Sequence, residues 1–316
     1  MQAILMRDFG GPEVFEAQDI EPPEPGAQEV LVRVHASSVN PVDTKIRQAG
    51  TWAVDPPDVI GYDVSGVVEA IGDEVTDFQT GDEVFYTPEI FGGGMGSYAE
   101  YHAADQAIVA RKPTGLSHAE AASLPLAGGT AWDALVTRAD VQPGETVLIH
   151  GAGGVGSLAI QIARAAGARV LSVCSDYMRQ TAQELGADRA IDYKSEDFSS
   201  IVEAETTGTG VDVVFDTIGG DALATSIPVT KPHGRFVTIL GPSGDLGPAY
   251  LKNITLHFLF LERARYKLDG LRALVEREQL RPVVDSTVPL TEVADAHRRV
   301  EAGGVQGKIA LEVASD

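Results

Sequence analysis

The stretch Thr146–Ala163, T-V-L-I-H-G-A-G-G-V-G-S-L-A-I-Q-I-A, decides the fold of this chain. A short apolar strand, 147–149, runs directly into a glycine-rich turn, and an apolar helical pattern follows at once. This order of strand, turn and helix is the context in which G-x-G-x-x-G binds a dinucleotide, because the free N–H groups at the start of the helix bind its phosphates. The pattern therefore predicts a nucleotide-binding α/β fold in the middle of the chain.

Each glycine of this motif is expected to have its own role. Gly151 makes the tight turn, Gly153 lets the backbone approach a pyrophosphate, and Gly156 lets the helix and the strand pack closely. A glycine turn with a purely structural role is the alternative. Because a strand precedes the motif and a helix follows it, we favour the nucleotide site.

The composition indicates a globular protein with an unusually acidic surface. Of 316 residues, 44% are hydrophobic and 22% are charged, which suits two domains that each have a core. The 46 acidic residues against 24 Lys and Arg give a net charge of −22, which repels phosphate backbones, so we expect no nucleic-acid partner. Salt relieves such self-repulsion, and the protein is therefore predicted to be halophilic. An ordinary acidic protein is the alternative.

The sequence also favours a protein of the reducing cytoplasm. No apolar run approaches the roughly 20 residues that span a bilayer, so no membrane partner is expected. Near the start of the chain, Arg7 and Asp8 come too early for the apolar part of a signal peptide. The single cysteine, Cys174, excludes an internal disulfide framework and suits a cytoplasmic location.

The texture of the chain changes near residue 120. The part before it is β-rich, with alternating apolar runs such as 30–34 and 66–71. Beyond it, helices alternate with strands, which argues for a parallel, doubly wound sheet. Helices are predicted near 119–123, 130–138, 155–166, 178–185, 266–280 and 291–302, and strands near 147–149, 169–173, 211–215, 236–240, 283–288 and 308–313.

Several phrases of the sequence together resemble one protein family. They are N-P-V-D-T-K-I-R at 40–47, G-Y-D-V-S-G-V-V at 61–68, G-S-Y-A-E-Y at 96–101, G-G-T-A-W at 128–132, V-D-V-V-F-D-T-I-G-G at 211–220 and G-K-I at 307–309. Taken together they resemble the quinone oxidoreductase branch of the medium-chain dehydrogenase/reductase superfamily. The resemblance implies an α/β protein with a GroES-like β-rich catalytic domain and a Rossmann domain. It predicts the bounds 1–121 for the first, 122–256 for the second, and 257–316 for a segment returning to the catalytic domain.

The resemblance also implies an enzyme without zinc. Zinc alcohol dehydrogenases of this superfamily bind their catalytic metal through Cys, His and Cys. The matching positions here are Asn40, Tyr62 and Leu126, and a leucine cannot ligate a metal. The seven histidines show no metal-binding spacing, and the lone cysteine leaves no structural zinc lobe. Without a Lewis acid to ionise an alcohol, reduction of an already electrophilic acceptor is left.

NADPH is the expected cofactor. A site for NAD has an acidic residue at the end of the second strand, about 20 residues beyond the glycine turn, but Cys174 and Ser175 stand there. Ser175 can donate to a 2′-phosphate and Arg179 can add positive charge, whereas Asp176 argues the other way. The resemblance implies a further role for Tyr193. The predicted cofactor-binding residues are Gly151, Gly153, Gly154, Val155, Gly156, Ser175, Arg179, Tyr193, Thr217, Leu240, Phe258 and Lys308.

The resemblance predicts four catalytic residues, Asn40, Asp43, Tyr62 and Thr130. Asn40 and Asp43 stand on the segment that faces the nicotinamide in the family, and Thr130 matches a position near its ring. Asp43 could equally be a structural carboxylate, Tyr62 could fill the space of the lost ligand, and Phe258 could belong to the core. The sequence singles out no proton donor, and a hydroquinone anion can take its proton from water.

The leading interpretation is an NADPH-dependent, zinc-free reductase that transfers hydride to quinones or related electrophilic carbonyl acceptors, which are small molecules. A reductase of enone or alkenal double bonds is a close alternative, and a non-catalytic NADPH-binding sensor or structural protein is a third. The resemblance implies a homodimer that pairs through the last Rossmann strand, within 254–260. That strand is apolar, and a free edge would expose unpaired backbone groups. Burial inside its own monomer is the alternative.

Overall fold

The structure is a computed structural model that describes residues 1–49, 55–91 and 94–313. The chain divides into two compact units, and each is described by itself. Unit 1 consists of Met1–Ala127, Arg263–Glu276 and Pro282–Asp316, and unit 2 of Gly128–Glu262 and Arg277–Arg281. Among the described residues, no helix combines the length and the apolar character needed to cross a membrane.

Unit 1 is built on a seven-stranded, mainly antiparallel sheet. Its strands, in the order in which they pair, are β14 (Val284–Pro289), β15 (Lys308–Glu312), β3 (Glu29–Val39), β4 (Val64–Ile71), β5 (Glu83–Tyr86) and β7 (Ala110–Arg111), with β6 (Tyr101–Asp105) paired to β3. A separate antiparallel pair consists of β1 (Gln2–Met6) and β2 (Phe15–Asp19). The helices described in this unit are α1 (Pro41–Ala49), α2 (His118–Ala122), α8 (Arg265–Glu276) and α9 (Val293–Ala302).

The register of this sheet decides which polar side chains meet. The antiparallel register of β3 and β15, continued by one residue, sets Lys308 opposite Asn40. The register of β3 and β4, continued by two residues beyond the pair Ala36 and Ser65, sets Asp63 opposite Ser38. Residues that are far apart in the sequence therefore meet at one end of β3.

Helix α1 starts where its sequence favours a helix start. Pro41 occupies the first position of the helix, where its fixed φ suits the helix and its missing N–H costs nothing. The backbone N–H of Asn40 donates to Oδ2 of Asp43 over 2.7 Å, which is one half of a capping box. The start of the helix therefore orients the Asp43 side chain.

The apolar core of unit 1 lies under these polar groups. A cluster of buried side chains joins β1, α1, β15 and the segments before β4 and β6. Burial of a large apolar side chain contributes about 1.5–3 kcal/mol, so this cluster anchors the end of β3. Its fully buried members include Met6, Ile46, Ile60, Tyr98 and Ile309.

Unit 2 is built on a six-stranded sheet in which all neighbouring strands are parallel. In pairing order the strands are β10 (Arg189–Asp192), β9 (Arg169–Cys174), β8 (Thr146–His150), β11 (Val211–Asp216), β12 (Thr230–Thr238) and β13 (Thr255–Phe258). The helices after these strands are α4 (Gly154–Ala165), α5 (Asp176–Glu184), α6 (Phe198–Glu205) and α7 (Ala222–Ser226). Helix α3 (Pro125–Trp132) leads into the unit and continues as π-helix over Asp133–Arg138.

The strands of unit 2 are short, continuous apolar runs, as expected for a parallel sheet that is covered on both faces. In the two central strands, Val147–Ile149 and Val213–Phe215 have no exposed surface. The order β10-β9-β8-β11-β12-β13 reverses direction between β8 and β11, which is the topology of a doubly wound fold. The predicted α/β class with a parallel sheet is confirmed.

Several predicted element bounds were wrong. The helix predicted over 130–138 begins earlier, at Pro125, because proline suits the first turn of a helix. The helix predicted over 266–280 ends at Glu276, and Glu278 takes a φ of 58°, which no helix continues. The strand predicted over 236–240 is the second half of β12. The sequence analysis also missed α6, α7 and β10, which are short.

Candidate active site

The carboxyl ends of the parallel strands in unit 2 carry most of the predicted cofactor-binding residues. Because the strands run in the same direction, these ends lie along one edge of the sheet, where ligands of doubly wound folds bind. Gly151 and Thr217 follow the two strands between which the strand order reverses. In sheet order, the residues at or just after the strand ends are Tyr193, Ser175, Gly151, Thr217, Leu240 and Phe258.

Two glycines of the motif are required by close backbone approach. Gly151 takes a φ of 103°, and a Cβ on it would lie 2.3 Å from Oγ1 of Thr217. A Cβ on Gly156 would lie 2.2 Å from the carbonyl oxygen of Gly151. Helix α4 and the turn before it can therefore approach each other this closely only because both positions are glycine.

The third glycine, Gly153, leaves an open space at the start of helix α4. A Cβ built on it would have no atom within 4 Å, and it caps the helix without a side-chain hydrogen bond. The first helical residues, Gly154 and Val155, follow it. Since the first N–H groups of a helix have no partner inside the helix, this end can accept a phosphate group.

The turns that hold Thr217 and Leu240 are organised by the buried carboxylate of Asp216. Its Oδ1 accepts a hydrogen bond from Gly219 N over 2.8 Å, and its Oδ2 accepts one from Thr238 Oγ1 over 2.9 Å. Leu240 N in turn donates to Thr238 Oγ1 over 3.2 Å. One carboxylate therefore fixes the ends of both β11 and β12 next to the glycine turn.

The ends of β9 and β10 carry a group of charged side chains. The guanidinium of Arg179 lies 3.8 Å from the carboxylate of Asp176 and 3.4 Å from that of Glu196. It is thus shared by two carboxylates of the same chain. Nζ of Lys194 lies 5.7 Å from the ring centroid of the exposed Tyr193. The sequence analysis missed Lys194, although it stands directly after Tyr193.

In unit 1, the buried carboxylate of Asp63 is the centre of a hydrogen-bonded cluster. The side chain has no exposed surface, and each of its oxygens accepts at least one hydrogen bond. The donors to Oδ2 are Ser38 Oγ at 2.6 Å, Asn40 Nδ2 at 2.7 Å and Lys308 Nζ at 3.2 Å, and the donor to Oδ1 is Leu126 N at 2.8 Å.

Asn40 is held at both ends of its amide group. Its nitrogen donates to Asp63, and its oxygen accepts a hydrogen bond from the ammonium of Lys308. The ion pair between Lys308 and Asp63 is buried, with side-chain exposures of 5% and 0%. The structure thus places Lys308, predicted as a cofactor-binding residue, beside the predicted catalytic Asn40.

Asp43 leads into a second line of buried hydrogen bonds. Its Oδ2 accepts from Asn40 N and, over 3.0 Å, from the hydroxyl of Tyr98, whose oxygen also lies 3.0 Å from His297 Nε2. Its Oδ1 is buried and has no hydrogen-bond partner among the described residues. Burial raises the pKa of Asp43 to about 7 and lowers that of His297 to about 3.

The two remaining predicted catalytic residues are in different units. Tyr62, next to Asp63 in the chain, is buried in unit 1, and burial together with the charges of Asp43 and Asp58 raises its pKa above the usual range. Thr130 is a buried residue of α3 in unit 2. Of the four, the structure brings Asn40 and Asp43 into direct contact and places Tyr62 near them.

Sequence reasoning missed three residues of these networks, Asp63, Tyr98 and His297. The first two lie inside the phrases 61–68 and 96–101 that carry the resemblance, but nothing in those phrases singles them out. Tyr98 contacts Asp43 across 55 residues and His297 across 199. Only the strand register and the packing of α9 bring them together.

Comparison with known proteins identifies the family. A model described as "Alcohol dehydrogenase GroES-like domain" matches residues 26–114, and one described as "Zinc-binding dehydrogenase" matches residues 185–311. The human protein named "Quinone oxidoreductase" is 34% identical, with 98% of this chain and 97% of that protein covered. This chain belongs to the quinone oxidoreductase branch of the medium-chain dehydrogenase/reductase superfamily.

Two further relatives extend this finding. The Arabidopsis thaliana protein named "NADPH-dependent alkenal/one oxidoreductase, chloroplastic" is 35% identical, with 98% of this chain and 79% of that protein covered. The Escherichia coli quinone oxidoreductase, solved in complex with NADPH, superposes with a TM-score of 0.88 at 27% identity, covering 99% of this chain and all of that one.

The family assignment confirms the predicted GroES-like domain and establishes the protein as an oxidoreductase of this superfamily. The family model that matches residues 185–311 is described as a zinc-binding dehydrogenase. Within 1–49, 55–91 and 94–313, however, no group of three or more His, Cys, Asp or Glu is arranged to hold a metal ion.

The glycine turn generates a matched pair of variants. Gly156→Ala is expected to lower the free energy of unfolding and to weaken dinucleotide binding, because its Cβ would lie 2.2 Å from a backbone oxygen. Gly153→Ala should change that free energy by no more than about 0.5 kcal/mol, since its Cβ meets no atom, while still weakening dinucleotide binding. Thermal unfolding and fluorescence titration with NADPH measure both effects. Unchanged affinity in Gly153→Ala would show that the open space is not the phosphate site.

Proposed function

We propose that this protein is an NADPH-dependent, zinc-free reductase that transfers hydride to quinones or related electrophilic carbonyl acceptors. The observation that carries the proposal is the set of contacts at Asn40, the residue matching the first zinc ligand of the alcohol dehydrogenases. Its amide oxygen accepts a hydrogen bond from the ammonium of Lys308. An ammonium held at this atom repels a metal ion that would bind there. Tyr62 and Leu126, at the other two positions, supply no suitable zinc ligands.

The residues of unit 2 fit a dinucleotide. Gly151 and Gly156 permit the close turn, and the open space at Gly153 lies at a helix start where no side chain bonds to the first N–H groups. When bound, the reduced nicotinamide supplies the hydride. The protein's own part is to position the cofactor and the acceptor, because hydride transfer needs close approach and the exclusion of water. We assign that positioning to Asn40, Asp43, Tyr62 and Thr130.

Several features favour NADPH over NADH. Ser175 follows β9 and makes no side-chain hydrogen bond to the helix after it, so its hydroxyl remains available to a 2′-phosphate. Lys194 supplies a positive charge beside the exposed ring of Tyr193. Arg179 is a weaker candidate than the sequence suggested, because Asp176 and Glu196 share its charge. The relatives from Arabidopsis and Escherichia coli are also associated with NADPH.

The class of acceptor has two candidates. The relatives named quinone oxidoreductase favour quinones, whereas the Arabidopsis relative favours conjugated alkenals and enones. Both kinds of acceptor become an anion after they receive hydride, so the same residues suit both reactions. An NADPH-binding sensor without turnover would need the glycine turn but not the ordered cluster around Asn40, and we therefore favour catalysis.

We extend the proposal to the domains and to the location of the protein. We assign the catalytic role to unit 1 and dinucleotide binding to unit 2, with the predicted bounds 1–121, 122–256 and 257–316 for the domains. We place the protein in the cytoplasm, because its single cysteine is buried and it contains no disulfide framework.

The cofactor and acceptor assignments are tested together by steady-state kinetics. With 1,2-naphthoquinone or an enone, kcat/KM is expected to be at least about tenfold higher with NADPH than with NADH, a difference of about 1.4 kcal/mol. In Ser175→Asp, the new carboxylate would repel the 2′-phosphate, so the preference should fall or reverse. Gly153→Asp serves as the inactive control. Equal efficiency with both cofactors would contradict the assignment of NADPH, and turnover no greater than in Gly153→Asp would favour the sensor.

We also propose a homodimer that pairs through β13. This strand lies at the end of the six-stranded sheet described in unit 2, and Phe258 within it is 66% exposed. On the segment that leads into it, Tyr250 and Leu251 are also largely exposed. The alternative of a run buried in its own monomer therefore loses support. A second copy would cover these side chains and pair the free strand edge with one self-complementary surface.

The dimer predicts a clear result for Phe258→Pro. Leu259 N donates to Thr238 O inside the sheet over 2.9 Å, so the N–H of Phe258 faces the open edge because backbone groups alternate along a strand. Proline removes this outward donor and should give a monomer, with the far-ultraviolet circular dichroism little changed. Light scattering in molar salt should give about twice 33.4 kDa for the wild type and 33.4 kDa for the variant. A wild-type mass of 33.4 kDa at micromolar concentration would refute the dimer.

We retain the proposal that the protein is halophilic. With 46 acidic residues and 24 Lys and Arg, at least 22 carboxylates (46 − 24) have no Lys or Arg of their own even if every one of these bases forms a pair. Salt screens the repulsion among these carboxylates. The melting temperature is therefore expected to rise as KCl is increased from low to molar concentration. A flat or falling melting temperature would count against halophily.

A further inference from the structure

The proposed reaction consumes a proton as well as a hydride. Hydride adds two electrons to a neutral quinone or enone and leaves an anion on the acceptor. A general acid that is placed at this anion accelerates such a reaction by about 10²–10⁴-fold. The buried cluster of unit 1 contains five titratable groups near Asn40 that could supply the proton, in addition to Asp43.

None of these five groups is suited to be the acid. Both oxygens of Asp63 already accept hydrogen bonds, from Ser38, Asn40, Lys308 and Leu126, so neither is open to an acceptor. The ammonium of Lys308 donates to the carboxylate of Asp63 and to the amide oxygen of Asn40, so it is held inside the cluster. Burial raises the pKa of Tyr62 and of Tyr98, so both hydroxyls are weaker acids than usual, and that of Tyr98 already donates to Asp43. Burial and the charge of Arg47 lower the pKa of His297 to about 3, so this ring is neutral.

Asp43 differs from all of these groups in its geometry. Both of its hydrogen bonds, from Asn40 N and from Tyr98, end on Oδ2. Its Oδ1 is buried and has no partner among the described residues. When the carboxyl group is protonated, the proton is therefore on Oδ1, since Oδ2 already accepts two donors. An oxygen that carries a proton and has no other partner can give that proton to an acceptor that comes within hydrogen-bond distance of it.

From this geometry we infer that Asp43 is the general acid of the reaction, giving the proton on Oδ1 to the reduced acceptor, and that Tyr98 and His297 are its positioning residues. The inference rests on the proposed function. It commits the acceptor to bind with its developing anion within hydrogen-bond distance of Oδ1.

The acceptor receives a hydride, with its two electrons, from the reduced nicotinamide, which is oxidised. The O–H bond of Asp43 then breaks, and the proton forms a new O–H bond on a hydroquinone or a new bond on the enolate of a reduced enone. The carboxylate that remains is stabilised by the hydrogen bonds from Asn40 N and Tyr98. A proton from water restores the acid before the next turnover.

The surrounding charges keep this proton available near neutral pH. Burial is the largest cause of the raised pKa of Asp43, and the carboxylate of Asp63 raises it further. The ammonium of Lys308 and the hydrogen bonds from Asn40 and Tyr98 lower it, and the balance is a pKa of about 7. An acid works best when its pKa lies near the working pH.

Tyr98 and His297 hold this acid in one orientation. Because the Tyr98 hydroxyl donates to Asp43, the 3.0 Å contact with His297 requires that Nε2 of the histidine carries its hydrogen and donates to the tyrosine oxygen. The ring of Phe15 packs edge-on against His297 with centroids 4.9 Å apart. The ring of Tyr98 also packs directly against the backbone of Gly61, where a Cβ would lie 2.5 Å from the ring.

The test is the pH dependence of kcat in wild type, Asp43→Asn and Tyr98→Phe. For the wild type, kcat should be high below the pKa of Asp43 and fall as the pH rises through about 7, because the carboxylate has no proton to give. Asp43→Asn keeps the shape and both hydrogen bonds but cannot donate this proton. Its kcat should fall by about 10²-fold at pH 6, and the inflection near pH 7 should disappear.

Tyr98→Phe separates a positioning role from a merely structural one. Loss of its hydrogen bond removes a stabiliser of the carboxylate, so the pKa of Asp43 rises and the inflection should move to higher pH. A purely structural effect would lower kcat equally at every pH. The matched control is Asp58→Asn, which removes another carboxyl whose pKa burial raises. It should leave the inflection where the wild type has it.

An infrared measurement reads the same proton without turnover. The difference spectrum of wild type minus Asp43→Asn should show the C=O band of a protonated carboxyl group, and the band should fade as the pH rises through about 7. An inflection that persists in Asp43→Asn, or a difference spectrum without this band at pH 6, would overturn the inference while leaving the reductase intact. A wild type that reduces no acceptor at any pH would overturn the proposed function and the inference with it.

Discussion

The buried ion pair between Asp63 and Lys308 is the interaction on which the candidate active site depends. Both charges are withdrawn from water, which costs several kcal/mol for each ion unless the geometry repays it. Here four hydrogen-bond donors stabilise the carboxylate. The carboxylate and the amide oxygen of Asn40 in turn stabilise the ammonium. The consequence is a fixed amide at Asn40, held between a cation and an anion. The chain therefore supplies an organic cation of its own at Asn40, the residue that we propose stands in place of a zinc ligand.

A second constraint acts in unit 2, where the parallel sheet gathers residues that are distant in sequence at one edge. The strand ends carry Gly151, Ser175 and Thr217 to neighbouring positions, and Asp216 fixes the turns after β11 and β12. Close backbone contacts at Gly151 and Gly156 leave open the space at Gly153. The same sheet leaves β13 at its end with Phe258 exposed, so the proposed cofactor site and the proposed dimer edge follow from one strand order.

Local patterns in the sequence were sufficient for the fold class and the glycine turn, because each depends on a few neighbouring positions. The cluster in unit 1 could not be predicted in this way. Lys308 meets Asn40 across 268 residues, and His297 meets Tyr98 across 199, through strand register and helix packing. For the same reason Lys308 was assigned to the cofactor alone. Asp43 was predicted as catalytic or structural, and the structure shows it capping α1 while one of its oxygens has no partner among the described residues.

The central claim, that the Asp63–Lys308 pair organises the site, is tested most directly by a double-mutant cycle on the free energy of unfolding. Asp63→Asn leaves the charge of Lys308 buried without its partner, and Lys308→Met does the same to Asp63. Each variant should therefore lower the free energy of unfolding by about 3–5 kcal/mol. The double variant removes both charges and should cost clearly less than the sum of the two single variants. A coupling energy above about 1 kcal/mol is therefore predicted. Small losses in the single variants that simply add in the double variant would contradict the account.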